Sequence, residues 1–268
     1  MNKPQRVVVT GANSGIGLAL IEQSIERGDD IVAVDLKTDT LTLRYSHQAN
    51  LHNIQLDLSK PEGIDTLFDF LNEHWGYCDI FFANAGFAYY ENFANQALPD
   101  WKRNEKIFSL NTLGPIYSWQ KLKQLNSGRS AKIVMTASAM AHIGLPGYAL
   151  YSATKAALHS FVNTQQWEST QPTGIVMVYP IATRTDFFNS AGSKAPFPSQ
   201  STQTVARKIF KGLDKNKHRI YPSILFKIYW RLAQWFPFLT TIYQKIEAKK
   251  FFDPIITLPS TQGSPIIL

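Results

Sequence analysis

The chain has 268 residues, 44% of them hydrophobic, which is enough for one large α/β domain with a full core. Its single cysteine, Cys78, excludes an intramolecular disulfide framework, and its six histidines have no metal-ligand spacing. The net charge of +7 is uneven: residues 201–268 carry 11 Lys+Arg against 3 Asp+Glu, residues 1–200 carry 16 against 17, so the whole excess lies in the last quarter.

The first residues hold no signal-peptide core, which leads to an expectation of an intracellular, cytoplasmic setting. Arg6-Val7-Val8-Val9-Thr10 is predicted to be a short buried strand. From Gly15 the spacing of Ile16, Ala19 and Leu20 predicts a helix to about Arg27, with Gly28 as its stop. Between them lies Thr10-Gly11-Ala12-Asn13-Ser14-Gly15-Ile16-Gly17. A strand turning into a helix aims backbone N–H groups and the positive helix end at one spot, which suits a pyrophosphate. Gly11 would allow the tight turn, Gly15 the approach of phosphates and Gly17 the packing of helix on strand.

Ile31-Val32-Ala33-Val34 is predicted to be the next strand, ending at Asp35. A carboxylate there accepts hydrogen bonds from an adenosine ribose and repels a 2′-phosphate, which favours NAD(H). Lys37 lies close enough to pair with such a phosphate, which leaves NADP(H) open. Residues 38–50 form a polar insert, expected as a surface loop or short helix. Strands are then predicted at 53–57, 79–83, 131–137 and 174–180, and helices at 64–74, 101–124 and 148–166, a continuing βα rhythm. Cys78 begins an apolar strand and is expected to be a packed thiol.

Ser138 stands at the carboxyl end of the strand 131–137, the edge where open α/β sheets bind ligands. Tyr151 and Lys155 are four apart on one predicted helix and share a face. A free phenol has a pKa of about 10. An adjacent ammonium favours the phenolate, so Tyr151 can exchange a proton with an alcohol or carbonyl oxygen while Ser138 holds that oxygen. His142 lies between Ser138 and Tyr151 and is expected to be an ordinary loop histidine.

With these residues in place, over about 6–186, the chain resembles the short-chain dehydrogenase/reductase family. The resemblance implies a single Rossmann-type, doubly wound, mainly parallel seven-stranded sheet with helices on both faces. It implies a catalytic set of Asn111, Ser138, Tyr151 and Lys155, with Asn111 helping to hold a proton-relay water and Lys155 also binding the nicotinamide ribose. The cofactor-binding set it implies is Gly11, Asn13, Ser14, Gly15, Ile16, Gly17, Asp35, Asp57, Leu58, Asn84, Ala85, Gly86, Tyr151, Lys155, Pro180, Thr183 and Thr185, with no metal. Ala83 replaces the first Asn of the family's Asn-Asn-Ala-Gly, and Ile181 the glycine after the proline. The implied reaction interconverts a secondary alcohol and a ketone in a homodimer or homotetramer. The competing reading is a non-enzymatic dinucleotide sensor or scaffold, for which Tyr151 would have no use.

Residues 183–201, rich in Gly, Pro and Ser, are expected to form a flap over the site. A helix over 204–213 and a strand over 219–221 would complete a catalytic domain of residues 1–222. The extension 223–268 differs in character: apolar residues from Ile224 to Ile246 recur at helical spacing, broken by Pro237 and interleaved with Lys227, Arg231, Lys245, Lys249 and Lys250. It has too short an unbroken apolar run to span a bilayer. It can wall the substrate pocket, contact another subunit or lie on a membrane surface as a peripheral contact. A nucleic-acid partner is not expected, because the charge follows an apolar stripe. Phe87, Tyr89, Tyr90, Phe187, Phe188 and Phe197 either line an apolar pocket or belong to the core.

Overall fold

The structure, a computed structural model, describes residues 3–91, 100–168, 173–185, 187 and 198–252. β1 (Arg6–Thr10), α1 (Gly15–Arg27), β2 (Asp30–Asp35), α2 (Asp39–Tyr45), β3 (Leu51–Gln55), α3 (Pro61–His74) and β4 (Ile80–Ala83) form the first half. α4 (Trp101–Phe108), α5 (Gly114–Leu125), β5 (Ala131–Thr136), α6 (Ala149–Glu168) and β6 (Thr173–Val178) follow, then α7 (Thr202–Asp214) and β7 (Arg219–Ile220). Two further helices, α8 (Ile224–Trp235) and α9 (Phe238–Phe252), end the described chain.

The described strands make one seven-stranded sheet in the order β3-β2-β1-β4-β5-β6-β7, every pair parallel. Side chains alternate across it with the period of two that a pleated strand imposes. Val8, Phe81, Ile133 and Met177 enter one core, while Val7, Val9, Phe82, Val134 and Val178 enter the other. Both faces are therefore covered, which is why these strands are continuously apolar. The chain runs outward from β1 through β2 to β3, then returns to place β4 on the other side of β1. That reversal opens a crevice at the carboxyl ends of β1 and β4, the place where such sheets take ligands.

Several elements differ from the sequence expectation. The third strand begins at Leu51 rather than 53: it is an edge strand with no fully buried residue, so its apolar pattern is weak. The predicted helix 101–124 is interrupted by a π-turn at Ser109–Leu113. Pro115 has no N–H to return to the Asn111 carbonyl four residues earlier, and the helix widens there. The insert at 38–50 contains the short helix α2. The ends of the expected flap are held together by a bridge between Thr183 and Gln200 and by Arg184 N–H donating to the Gln200 carbonyl at 2.8 Å; Asp186 and residues 188–197, with Phe188 and Phe197, lie outside the described residues.

Candidate active site

The glycine turn leaves β1 and enters α1. Gly15 has φ +57°, in the left-handed region that glycine adopts without strain, and it faces the crevice. At Gly17 a Cβ would collide with the Gly11 carbonyl, so only glycine lets the first turn of α1 settle on the loop. Ser14 is the N-cap of α1, yet its side chain makes no capping bond, and no acidic residue lies in the first turn. The first turn itself therefore carries no side chain that competes with an anion at this positive helix end, and Gly11, Ser14, Gly15 and Ile16 all line the crevice. These residues fit a dinucleotide pyrophosphate.

Thr10 ties this loop to the end of β4. Its hydroxyl accepts from the N–H groups of Asn84 and Ala85, each at 3.0 Å, and donates to the Phe82 carbonyl at 3.1 Å. The Asn84 amide donates to the Thr10 carbonyl at 3.2 Å and accepts from the Thr136 hydroxyl at 3.3 Å, so one side chain links β1, β4 and β5. Asn84 and Gly86 face the crevice. Asp35 ends β2 buried, accepting from Asn13 N–H at 2.9 Å and Lys37 N–H at 3.3 Å. Burial raises its pKa, and the backbone N–H groups work against that shift. The Asn13 side chain braces Asp39 and Leu41 at 2.7 and 3.1 Å rather than facing the crevice. Asp57 accepts from the Ser59 N–H and hydroxyl at 3.0 and 2.6 Å, and Leu58 packs in the core.

Ser138 leaves β5 and caps a short 3-10 turn, Ala139–Ala141, by accepting from Met140 N–H at 3.1 Å. Its hydroxyl also favours the ionised form of the Tyr151 phenol. Tyr151 and Lys155 lie on the face of α6 turned to the crevice, both buried. Lys155 Nζ donates to the Thr136 carbonyl at 2.8 Å and lies 5.8 Å from the centre of the Tyr151 ring. The electrostatics differ from the sequence argument. Burial pushes the Tyr151 phenol up to about 12, only partly opposed by Ser138, and pulls Lys155 down to about 7. Desolvation disfavours both charged forms, and this outweighs the expected pull of an ammonium on the phenol.

Asn111 lies in the π-turn, fully buried and outside the crevice lining. Its amide donates to the Phe87 carbonyl at 2.8 Å and to the Thr154 hydroxyl at 3.2 Å, and it accepts from Phe87 N–H at 3.0 Å. The Thr154 hydroxyl donates in turn to the Tyr151 carbonyl at 2.7 Å. The side chain of Asn111 thus positions the turn of α6 that carries Tyr151. Beyond β6, Pro180, Thr183 and Thr185 line the crevice, and the Pro180 carbonyl accepts from Ala139 N–H at 2.8 Å.

Gly11, Ser14, Gly15, Asn84, Ser138, Tyr151 and Lys155 surround one cavity of about 350 Å³ that runs from the glycine turn to the C-terminal helices, whereas Asn13, Asp35, Asp57, Leu58 and Asn111 lie outside its lining. Its far wall is apolar: Met140, Ile143, Leu145 and Phe187, with Leu225, Phe226, Tyr229 and Tyr243 from α8 and α9. Of the aromatic residues left open by the sequence, Phe187 lines the cavity, Phe87 and Tyr89 are core, and Tyr90 packs on Tyr148 at 5.1 Å and Phe251 at 5.6 Å. His142 is no ordinary loop residue. It stacks between Tyr179 at 4.6 Å and Trp230 of α8 at 4.4 Å, with its Nε2 3.2 Å from the Tyr221 hydroxyl. The sequence pattern could not find this contact, because its partners come from three distant segments.

Residues 5–196 match the family model for short chain dehydrogenase. The chain is 29% identical over 208 residues to versicolorin reductase stcU of Emericella nidulans, covering 74% of this chain and 75% of that protein. It is 26% identical over 243 residues to 11-beta-hydroxysteroid dehydrogenase 1A of Arabidopsis thaliana, covering 83% and 69% respectively. Among solved structures, a short chain dehydrogenase/reductase from Burkholderia phymatum in complex with NAD superposes with a TM-score of 0.74 at 22% identity, covering 87% of this chain and 93% of that one. A short-chain dehydrogenase from Sphingobium yanoikuyae in complex with NADPH gives a TM-score of 0.74 at 24% identity, covering 92% and 96%.

Proposed function

The chain belongs to the short-chain dehydrogenase/reductase family and is an oxidoreductase dependent on NAD or NADP, and from that premise we propose that it interconverts an apolar secondary alcohol and its ketone, with NAD(H) the preferred cofactor. The observation that carries this reading is that Ser138, Tyr151 and Lys155 line the same cavity as the anion-ready start of α1. A bound nicotinamide dinucleotide supplies the hydride donor or acceptor.

The residues of the chain handle the oxygen and its proton. In reduction, the Tyr151 phenol is protonated at neutral pH and donates to the carbonyl oxygen, while the Ser138 hydroxyl holds that oxygen as its charge grows. In oxidation, the phenol must accept the alcohol proton. Protonation of Lys155 places an ammonium beside Tyr151 and favours the phenolate. With the Lys155 pKa near 7, a small change in its surroundings decides its charge. The wall formed by Met140, Ile143, Leu225 and Phe226 supports an apolar substrate. The relatives named for hydroxysteroid and versicolorin chemistry are consistent with that class. A carboxylate at Asp35, at the end of β2, supports discrimination against a 2′-phosphate.

The test is Tyr151→Phe with a ketone that the parent reduces. Turnover is expected to fall by about 10²–10⁴-fold, while the NADH affinity measured by cofactor fluorescence stays at the parental value. Parental turnover in the variant would remove Tyr151 from the mechanism. The same titration run with NADPH should give the weaker binding; tighter NADPH binding would overturn the cofactor preference.

A further inference from the structure

Ten of the fourteen large apolar side chains that stand exposed among the described residues lie between 224 and 252. On α8, Ile228, Leu232 and Trp235 follow at i, i+4 and i+7; on α9, Phe238, Ile242 and Ile246 follow at four-residue steps. Each set therefore makes one stripe along its helix. All six are about half exposed or more, and Trp235 is 83% exposed. Arg231, Lys245 and Lys249 are exposed on the same sides of the two helices. Monomeric proteins rarely leave so much contiguous apolar surface without a partner.

The α8 stripe runs into the cavity. Leu225 lines the cavity wall while remaining 71% exposed, so one apolar strip extends from the outer surface to the substrate space. The inner sides of the helices are meanwhile fixed to the domain. Trp230 stacks on His142 and Gln244 Nε2 donates to the Gly144 carbonyl at 2.8 Å, while the Tyr229 hydroxyl ties α8 to α9 by donating to the Leu239 carbonyl at 3.1 Å. The exposed sides are therefore held facing outward.

We propose that the outer faces of α8 and α9 dock on an anionic lipid surface, with the apolar stripes at headgroup depth and the basic side chains against lipid phosphates. Charge selects this occupant. Lys227, Arg231, Lys245, Lys249 and Lys250 stand on these two helices against the single acidic residue Glu247, so the face attracts a negative surface and opposes apposition of two copies. Long basic side chains beside an apolar stripe, with Trp at its edge, suit the boundary between acyl chains and headgroups. Among the described residues no helix is long and apolar enough to cross a membrane, so the contact lies in the surface. The docking face stands independently of the reaction assigned to the cavity.

The experiment is vesicle co-sedimentation of the full chain. The protein should pellet with phosphatidylcholine vesicles containing about one-third phosphatidylglycerol and pellet less with phosphatidylcholine alone. Raising the salt to about 0.5 M should release most of it. The triple variant Ile228→Glu/Leu232→Glu/Trp235→Glu should bind these vesicles at least about tenfold more weakly and still bind NADH. Should the triple variant lose NADH binding, Trp235→Ala alone, which removes one exposed ring, should still weaken vesicle binding about threefold or more. Absence of pelleting in the parent, or pelleting that neither substitution alters, overturns the proposal. So does a parental dimer that the substitutions dissociate without any vesicle binding, which would assign the face to a second copy.

Discussion

Tyr151 and Lys155 are legible in the sequence because a four-residue step on a helix fixes their common face. Their protonation is not legible, since it depends on how much of the surrounding protein excludes water. Asn111 illustrates the same division. Its position follows from the family resemblance, but the partners of its side chain, Phe87 and Thr154, emerge only from the packing of the π-turn on α6. Replacing Asn111 with Ala leaves the buried N–H and carbonyl of Phe87 without that amide. The expected cost is about 2–3 kcal/mol of stability, read as a lowered denaturation midpoint at unchanged m-value. An unchanged midpoint would mean that Phe87 is satisfied in another way.

Among the elements, the central strands and the helices α1, α3 and α6 follow from apolar runs and helical spacing, whereas the edge strand β3 and the π-turn do not. β3 lacks a buried face to impose period two, and helical spacing alone cannot reveal an extra residue in a turn. The anchoring of α8 also escapes pattern reading, and it has a pH consequence. Desolvation, with lesser contributions from His159 and Arg219, holds the His142 pKa at about 4, below the ordinary histidine value of 6.5. Between those values the unfolded chain binds more protons than the folded one. Stability from this group is therefore whole above pH 6.5, falls as pH drops towards 4 and falls no further below it. His142→Phe, which keeps a ring between Tyr179 and Trp230, should flatten the loss of stability between pH 6.5 and 4 in urea titrations. His159, whose pKa is lowered in the same direction, leaves a residual slope. An identical acid limb in the variant would show that His142 takes up no proton in that range on unfolding.

At the scale of the whole molecule, the strand order that reverses between β1 and β4 gathers the glycine turn, Asn84 and Ser138 at one sheet edge from three distant parts of the chain. The alternating strand and helix pattern made that edge predictable. The far wall was harder to foresee, because α8 and α9 follow the last strand and belong to no repeating unit. The order also places Cys78, the single thiol of the sequence, at the entrance to β4 in the middle of the sheet. It is 0% exposed, and Asn126 clamps its backbone, accepting from its N–H at 3.2 Å and donating to its carbonyl at 2.8 Å. A thiol reagent can reach Cys78 only when the sheet parts. Its modification rate thus serves as a built-in clock for opening of the native state. Any small molecule that binds only the closed form should slow this clock by a factor of one plus its concentration over its Kd. Ligands can be ranked by that delay before a single turnover has been observed.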